Sequence, residues 1–178
     1  MHYFFWERRC NLKTSYSKIH VRIKPALRTD LQRIIEIESD SFEEPWKEDD
    51  FLYFRNRTNS MIDIADYHKG VVGYICYELH EDGISLVNIA INRNLRRRSI
   101  GSQMIQFLIR FLKSKKLKYI DLKIRETNLK AQLFFSKCGF RGVRVLRNYF
   151  EDTGEDAFLM EYLRFSSNRI SFGQDVPW

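Results

Sequence analysis

The chain has 178 residues, 44% hydrophobic and 15% aromatic, which suffices for one packed core and argues against a disordered chain. Lys and Arg number 30 against 23 Asp and Glu, and the formal net charge of +7 draws the protein toward polyanions such as nucleic acid, ribosomes or phosphorylated cofactors. Cys10, Cys76 and Cys138 are odd in number and widely spaced without a C-x-x-C pair, which argues against a disulfide framework and a zinc site and points to a reducing, cytoplasmic setting.

No stretch approaches the ~20 apolar residues of a membrane span, and Tyr3-Phe4-Phe5-Trp6 is too short for a signal-peptide core, so no membrane partner is expected. His2, His20, His68 and His80 lack the i, i+4 spacing of a helical metal site. Residues 1–18 read as an N-terminal extension, 19–164 as one domain and 165–178 as a tail without periodicity. Only residues 3–9 interleave aromatic and basic side chains as single-stranded nucleic-acid binding requires, so nucleic acid is not expected beyond proximity to the ribosome.

In chain order, the alternation of Ile19, Val21 and Ile23 predicts a strand ending at Pro25. Thr29-Asp30-Leu31-Gln32 has capping-box spacing and opens a helix whose apolar side is Leu31, Ile34 and Ile35, with Glu38 continuing the same spacing. Phe42-Glu43-Glu44-Pro45-Trp46 breaks it, and Lys47-Glu48-Asp49-Asp50 begins a second helix reaching Asn56. Phe42 and Trp46, at the elbow, are either core plugs or one wall of a substrate groove. Strands over 61–65 and 71–79 join through Tyr67-His68-Lys69-Gly70, and a third over 84–91 completes an antiparallel meander. A helix to Lys115, a strand over 118–125, a short helix from Asn128 to a stop at Gly139, and strands over 140–146 and 156–163 follow. The order describes one mixed α/β sheet with helices on both faces.

One stretch organises this plan. Asn88-Ile89-Ala90-Ile91 is apolar strand, Arg96-Arg97-Arg98-Ser99-Ile100-Gly101-Ser102 is a basic turn, and a helix with Met104, Ile105, Leu108, Phe111 and Leu112 on one side follows. Free N–H groups and the positive dipole end make such a helix start an anion site, and arginines add charge-assisted bonds suited to phosphate.

The element order, that loop, and Asn128 with Phe134-Phe135-Ser136-Lys137-Cys138-Gly139-Phe140 together resemble the GNAT acyl-CoA-dependent N-acetyltransferases. Within that family the strings Glu44-Pro45-Trp46, Asn88-Ile89-Ala90, Arg125-Glu126-Thr127-Asn128 and Arg147-Asn148-Tyr149-Phe150 are most similar to the RimI-type enzymes, which acetylate the N-terminal alanine of a ribosomal protein. The resemblance implies a GNAT-like, mostly antiparallel sheet splayed between its fourth and fifth strands, with acetyl-CoA in the gap. It implies cofactor contacts from Ile89, Ala90 and Ile91, from Arg96, Arg97, Arg98, Ser99, Ile100, Gly101 and Ser102, and from Asn128, Phe135 and Lys137. Backbone N–H groups near Ala90 and Ile91 would polarise the thioester carbonyl. The implied acceptor is a peptide or protein N-terminus, that of a ribosomal protein in RimI-type enzymes; a lysine side chain or small amine is the alternative, as is an acetyl-CoA-binding relative without turnover.

Two departures bear on the chemistry. Ser99 stands where the family pattern has glycine, which costs on the order of 1 kcal/mol if the site needs positive φ. The RimI pattern's basic glutamate and acidic tyrosine correspond here to Lys123 and Phe135. A phenyl ring donates no proton, and lysine serves as a base only if its pKa falls from ~10.4 toward 7, for which Arg125 on the same strand face could supply repulsion. Lys123 and Tyr149 are the candidate catalytic side chains. Asp121, Glu78 and Glu126 are carboxylates able to act through water, and the run 151–156 reads as a solvated loop or a hold for a basic peptide.

Overall fold

A computed structural model describes residues 17–164; the aromatic and basic start, including 3–9, and the tail 165–178 lie outside the described residues. The strands are β1 (Arg22–Pro25), β2 (Ser60–Tyr67), β3 (Gly70–Leu79), β4 (Gly83–Ile91), β5 (Tyr119–Arg125), β6 (Arg141–Phe150) and β7 (Glu155–Leu163). The helices are α1 (Leu31–Ser39), α2 (Glu48–Arg55), α3 (Ile100–Ser114) and α4 (Leu129–Lys137). They form one seven-stranded sheet in the order β1-β2-β3-β4-β5-β7-β6. Only β4 and β5 run parallel among these neighbours, because α3 carries the chain over the sheet between them.

Alternation along the central strands builds two cores. Ile75, Tyr77, Ile84, Leu86, Ile120, Leu122 and Ile124 face Met104, Ile105, Leu108 and Leu112 of α3 and Phe135 of α4. On the other face Tyr74, Cys76 and Ala90 meet Ile34 and Ile37 of α1 and Phe51 and Phe54 of α2. Trp46 plugs this second core, its ring 5.2 Å from Phe51 and 5.5 Å from Phe54, whereas Phe42 is 39% exposed.

Several local expectations shift. The expected first strand over 19–25 narrows to 22–25, because Ile19 N–H bonds Arg98 O and Gln103 of α3 holds both Ile19 O and Val21 N–H. Thr29 does not cap α1; Asp30 accepts the Leu27 N–H at 2.8 Å and a short 3-10 turn leads in. The buried side of α1 is Ile34, Ile37 and Glu38, with Leu31 and Ile35 only half-buried at its edge. In the β2–β3 turn the left-handed residues are His68 and Lys69, at φ 50° and 63°, so the turn has the primed twist that hairpins favour without using Gly70. Asn128 does cap α4, its side chain accepting the Ala131 N–H, and Gly139 ends it at φ 96°.

Candidate active site

The sheet opens where β4 and β5 part. Their parallel pairing runs from Gly83↔Tyr119 to Leu86↔Leu122 and stops, although β4 continues to Ile91 and β5 to Arg125. A bulge at Val87 marks the fork: Tyr77 pairs with Leu86 but Cys76 with Asn88, leaving Val87 as the extra residue that bends β4 away. Beyond it β3 still satisfies one edge of β4. Asn92 N–H bonds Val72 O, and the antiparallel alternation then spends the Ala90 backbone on β3 and turns the Ile89 and Ile91 groups into the gap. The oxyanion donors expected near Ala90 and Ile91 are thus best supplied by Ile89 and Ile91.

At the open end of β4 the loop before α3 holds two left-handed non-glycine residues, Arg97 at φ 66° and Ser99 at φ 64°. Arg96 before them is extended, at φ −63° and ψ 159°. Ser99 makes no side-chain cap, so the first N–H groups of α3 are not claimed by it. Gly101 is dictated by packing, since a Cβ there would meet the Phe134 ring of α4 at 3.2 Å. Arg97 is exposed, as an anion ligand requires. Arg96 instead donates from Nε to Ile91 O at 3.0 Å and from its guanidinium to Ser41 Oγ at 2.7 Å, tying the end of β4 to the end of α1. Lys137 lies exposed at the far end of α4, and Phe135 is 5% exposed, its ring packed on Phe134 and Phe140.

Lys123 is the first β5 residue past the last β4–β5 pair, so it stands at the fork. Its ammonium lies 5.5 Å from the centroid of the Tyr149 ring, and both side chains are exposed. The two candidate catalytic residues, distant in sequence, therefore meet on the face that carries α1 and α2. The repulsion expected from Arg125 is compensated. Its guanidinium bonds Asp152 at 2.6 Å, Glu155 at 3.2 Å and Thr153 at 2.8 Å, and lies 3.9 Å from the Phe150 ring centroid. Glu155 also accepts from the Thr127 N–H, and Asp156 accepts the Asn148 N–H while pairing with Arg147. Asp152 and Glu155 thus tie the β6–β7 turn to the end of β5 and to Thr127, while Asp156 holds β6 to β7, a structural use the solvated-loop reading missed. Glu78 pairs with Arg57 at the other end of β3, away from the fork. Asp121 sits two residues back from Lys123, opposite Glu161, whose pKa is raised by burial and by Asp121 against an opposing effect of Arg144.

The sequence reading did not single out the group beneath the fork. Glu38 of α1 is 1% exposed, accepts from Tyr74 Oη, from the Trp46 N–H at 3.0 Å and from Asn88 Nδ2 at 3.1 Å. Burial, then the Glu38 carboxylate, push the Tyr74 hydroxyl pKa up, so it remains a donor. A carboxylate at an apolar helix position was the available signal.

The family model described as "Acetyltransferase (GNAT) family" matches residues 31–140, a span that includes the fork, the anion loop and most of the elements lining them. The chain belongs to the GNAT acetyltransferase family. A Bacillus subtilis protein provisionally named a [ribosomal protein bS18]-alanine N-acetyltransferase is 30% identical over 134 residues, covering 74% of this chain and 87% of that one. An N-alpha-acetyltransferase of Sulfurisphaera tokodaii is 31% identical over 153 residues, 78% and 90% of the two chains. The solved structure of Arabidopsis thaliana NAA60 in complex with acetyl-CoA has a TM-score of 0.70 at 17% identity, covering 81% of this chain and 98% of that one. As a member of the GNAT acetyltransferases the chain is an acyltransferase whose acyl donor is acetyl-CoA. Among the described residues there is no cluster of three or more metal-ligating side chains, and no helix is long and apolar enough to cross a membrane.

Proposed function

We propose that this GNAT protein acetylates the α-amine of protein N-termini, in the manner of the RimI-type enzymes, with a ribosomal protein as the physiological acceptor. The observation that carries the reading is the fork itself: an unpaired β4 edge, an anion loop at its open end, and Lys123 with Tyr149 at its apex. The names of the sequence relatives support the α-amine over other acceptors. Residues 19–164 are taken as the catalytic domain, and the free thiols Cys76 and Cys138 suit a cytoplasmic setting.

Acetyl-CoA supplies an activated thioester. The start of α3, with Arg97 and Arg98, would hold its phosphates, and the Ile89 and Ile91 backbone would pair with the arm and polarise the carbonyl. Alignment of amine and thioester by these groups can contribute several kcal/mol on its own. In this reading Lys123, whose Nζ lies over the Tyr149 ring, would donate a proton to the departing thiolate. Solvent, or Asp121 through water, takes the proton of the amine.

Mass spectrometry of peptides with small N-terminal residues, incubated with acetyl-CoA, tests the reading. Acetylation at the α-amine supports it; CoA release no faster than a blank across the panel overturns it. Lys123→Ala should lower kcat about tenfold or more, the scale of a lost general acid. A Lys123→Glu variant faster than the wild type would instead identify position 123 as a lost base.

A further inference from the structure

Glu38 is a buried carboxylate to which the mechanism above gives no task. Burying a charge is costly unless it is well hydrogen-bonded, and the bonds Glu38 receives all come from neutral donors on three separate segments. Trp46 N–H belongs to the elbow between α1 and α2, Tyr74 to β3, and Asn88 to β4. The segments meet beside the fork, since Asn88 follows the Val87 bulge and shares its sheet face with Lys123 across the gap.

The chemistry of the three donors sets the orientation of Asn88. The Asn88 amide presents Nδ2 to Glu38 Oε1 at 3.1 Å, donating to the oxygen that also accepts the Trp46 N–H. Its carbonyl oxygen Oδ1 is then directed away from Glu38. Asn88 is half-buried, and its amide also bonds the Tyr74 hydroxyl in the sense that lowers that hydroxyl's pKa, as an Nδ2 donor does, so both contacts engage Nδ2 rather than Oδ1. A fixed, unspent acceptor at the apex of an acetyl-transfer cleft suits an incoming amine, whose N–H must be held while its lone pair is aimed at the thioester carbonyl.

We propose that Asn88 Oδ1 receives an N–H of the acceptor amine and that Glu38 is the positioning residue that holds the Asn88 amide in that orientation. The inference rests on the reading of the fork as the site of amine acetylation. Glu38 keeps the elbow and β4 in one register through Trp46 N–H and Asn88 Nδ2, so the acceptor-side wall and the acceptor-binding oxygen are set by one side chain.

The test compares wild type, Glu38→Met, Glu38→Gln, Asn88→Ala and the Glu38→Met/Asn88→Ala double variant. Each is assayed with acetyl-CoA and three amines: a peptide with N-terminal alanine, an N-terminally blocked lysine peptide and a small primary amine. Methionine has similar volume but removes both acceptor oxygens, while glutamine keeps one for Trp46 and Asn88. Glu38→Met and Asn88→Ala should each lower kcat on the acetylated amine about tenfold, the scale of one lost hydrogen bond, with acetyl-CoA affinity within about twofold of wild type. Glu38→Gln should recover most of the rate, and the double variant should be no slower than the slower single one. Full activity in Asn88→Ala, additive losses, or a Glu38→Gln variant as slow as Glu38→Met overturns the proposal. Should Glu38→Met fail to fold, Asn88→Ala and Glu38→Gln still decide it. A wild type that acetylates only the lysine peptide or the small amine sinks the N-terminal reading alone, and the variants are then compared on that amine. A wild type inert on all three sinks both.

Discussion

Ser99 shows how one side chain can strain the loop that leads into a helix. It sits at φ 64° and ψ 11°, in the left-handed region, and its hydroxyl makes no capping bond that would offset the strain. Ser99→Gly should therefore raise stability by about 0.5–1 kcal/mol, roughly 1–4 °C in melting temperature for a domain of this size. A melting curve unchanged or lowered would refute the strain. Phe135 makes the opposite case. Its ring is 5.4 Å from Phe140 and 5.1 Å from Phe134, in the core under α4, so a tyrosine hydroxyl there would be desolvated among apolar groups. Phe135→Tyr should cost about 1–3 kcal/mol and bring no gain in kcat. A stable, faster Phe135→Tyr enzyme would show that the hydroxyl reaches the cleft and that an acid was lost at this position.

At the scale of elements, the β6–β7 turn is tied to the end of β5 and to Thr127 before α4 by charges and hydrogen bonds. Glu155 is kept below the usual carboxylate range first by the Thr127 hydroxyl and N–H and then by Arg125, Asp152 mainly by Arg125, and Asp156 mainly by the Asn148 N–H. A carboxyl whose folded pKa is depressed stabilises the fold above its unfolded value, and that contribution is lost as pH falls through the folded one. The hairpin should thus loosen as pH drops below the ordinary values of 3.8 and 4.5, and not between pH 5 and 8. Hydrogen exchange at 147–156 checks this: Arg125→Ala should speed exchange at neutral pH, and its difference from wild type should shrink below about pH 4. A gap that persists in acid would assign the hairpin's order to packing of Phe150. This brace also marks where the sequence stopped being legible. Strands and helices with strong periodicity were readable because each period-two or 3.6 pattern reports a buried face, and Asn128 and Gly139 carry their local caps with them. The β4 bulge, the Arg96 tie to Ser41 and the Arg125 network join residues from 5 to 55 positions apart, and no local pattern encodes such pairings. Glu38 was visible as a carboxylate on an apolar stripe, but its three donors come from the elbow, β3 and β4, which only the folded sheet assembles.

For the whole molecule, the net charge of +7 and the proposed site would act on the same ligand. Acetyl-CoA carries its negative charge on the nucleotide end, which in the proposed binding mode would lie at the start of α3 beside Arg97 and Arg98, while the pantetheine arm would meet the neutral backbone of Ile89 and Ile91. Affinity should therefore divide into a salt-sensitive nucleotide part and a salt-insensitive arm part. A ligand that binds only the folded state at 100 times its Kd adds about 2.7 kcal/mol of stability, or about 5–10 °C for a chain of this length. At low salt acetyl-CoA should produce a shift of that order. As the screening length contracts from about 10 Å at 0.1 M to about 3 Å at 1 M salt, the shift at fixed ligand concentration should shrink, because Arg97 is exposed and long-range attraction by the basic surface is screened. S-acetyl-pantetheine, which has the arm and the thioester but no phosphates, should give a smaller shift that salt leaves unchanged. Thermal melts of the two ligands across that salt range measure both parts at once. An acetyl-CoA shift indifferent to salt, or matched by S-acetyl-pantetheine, would move the seat of affinity from the arginine loop to the β4 edge.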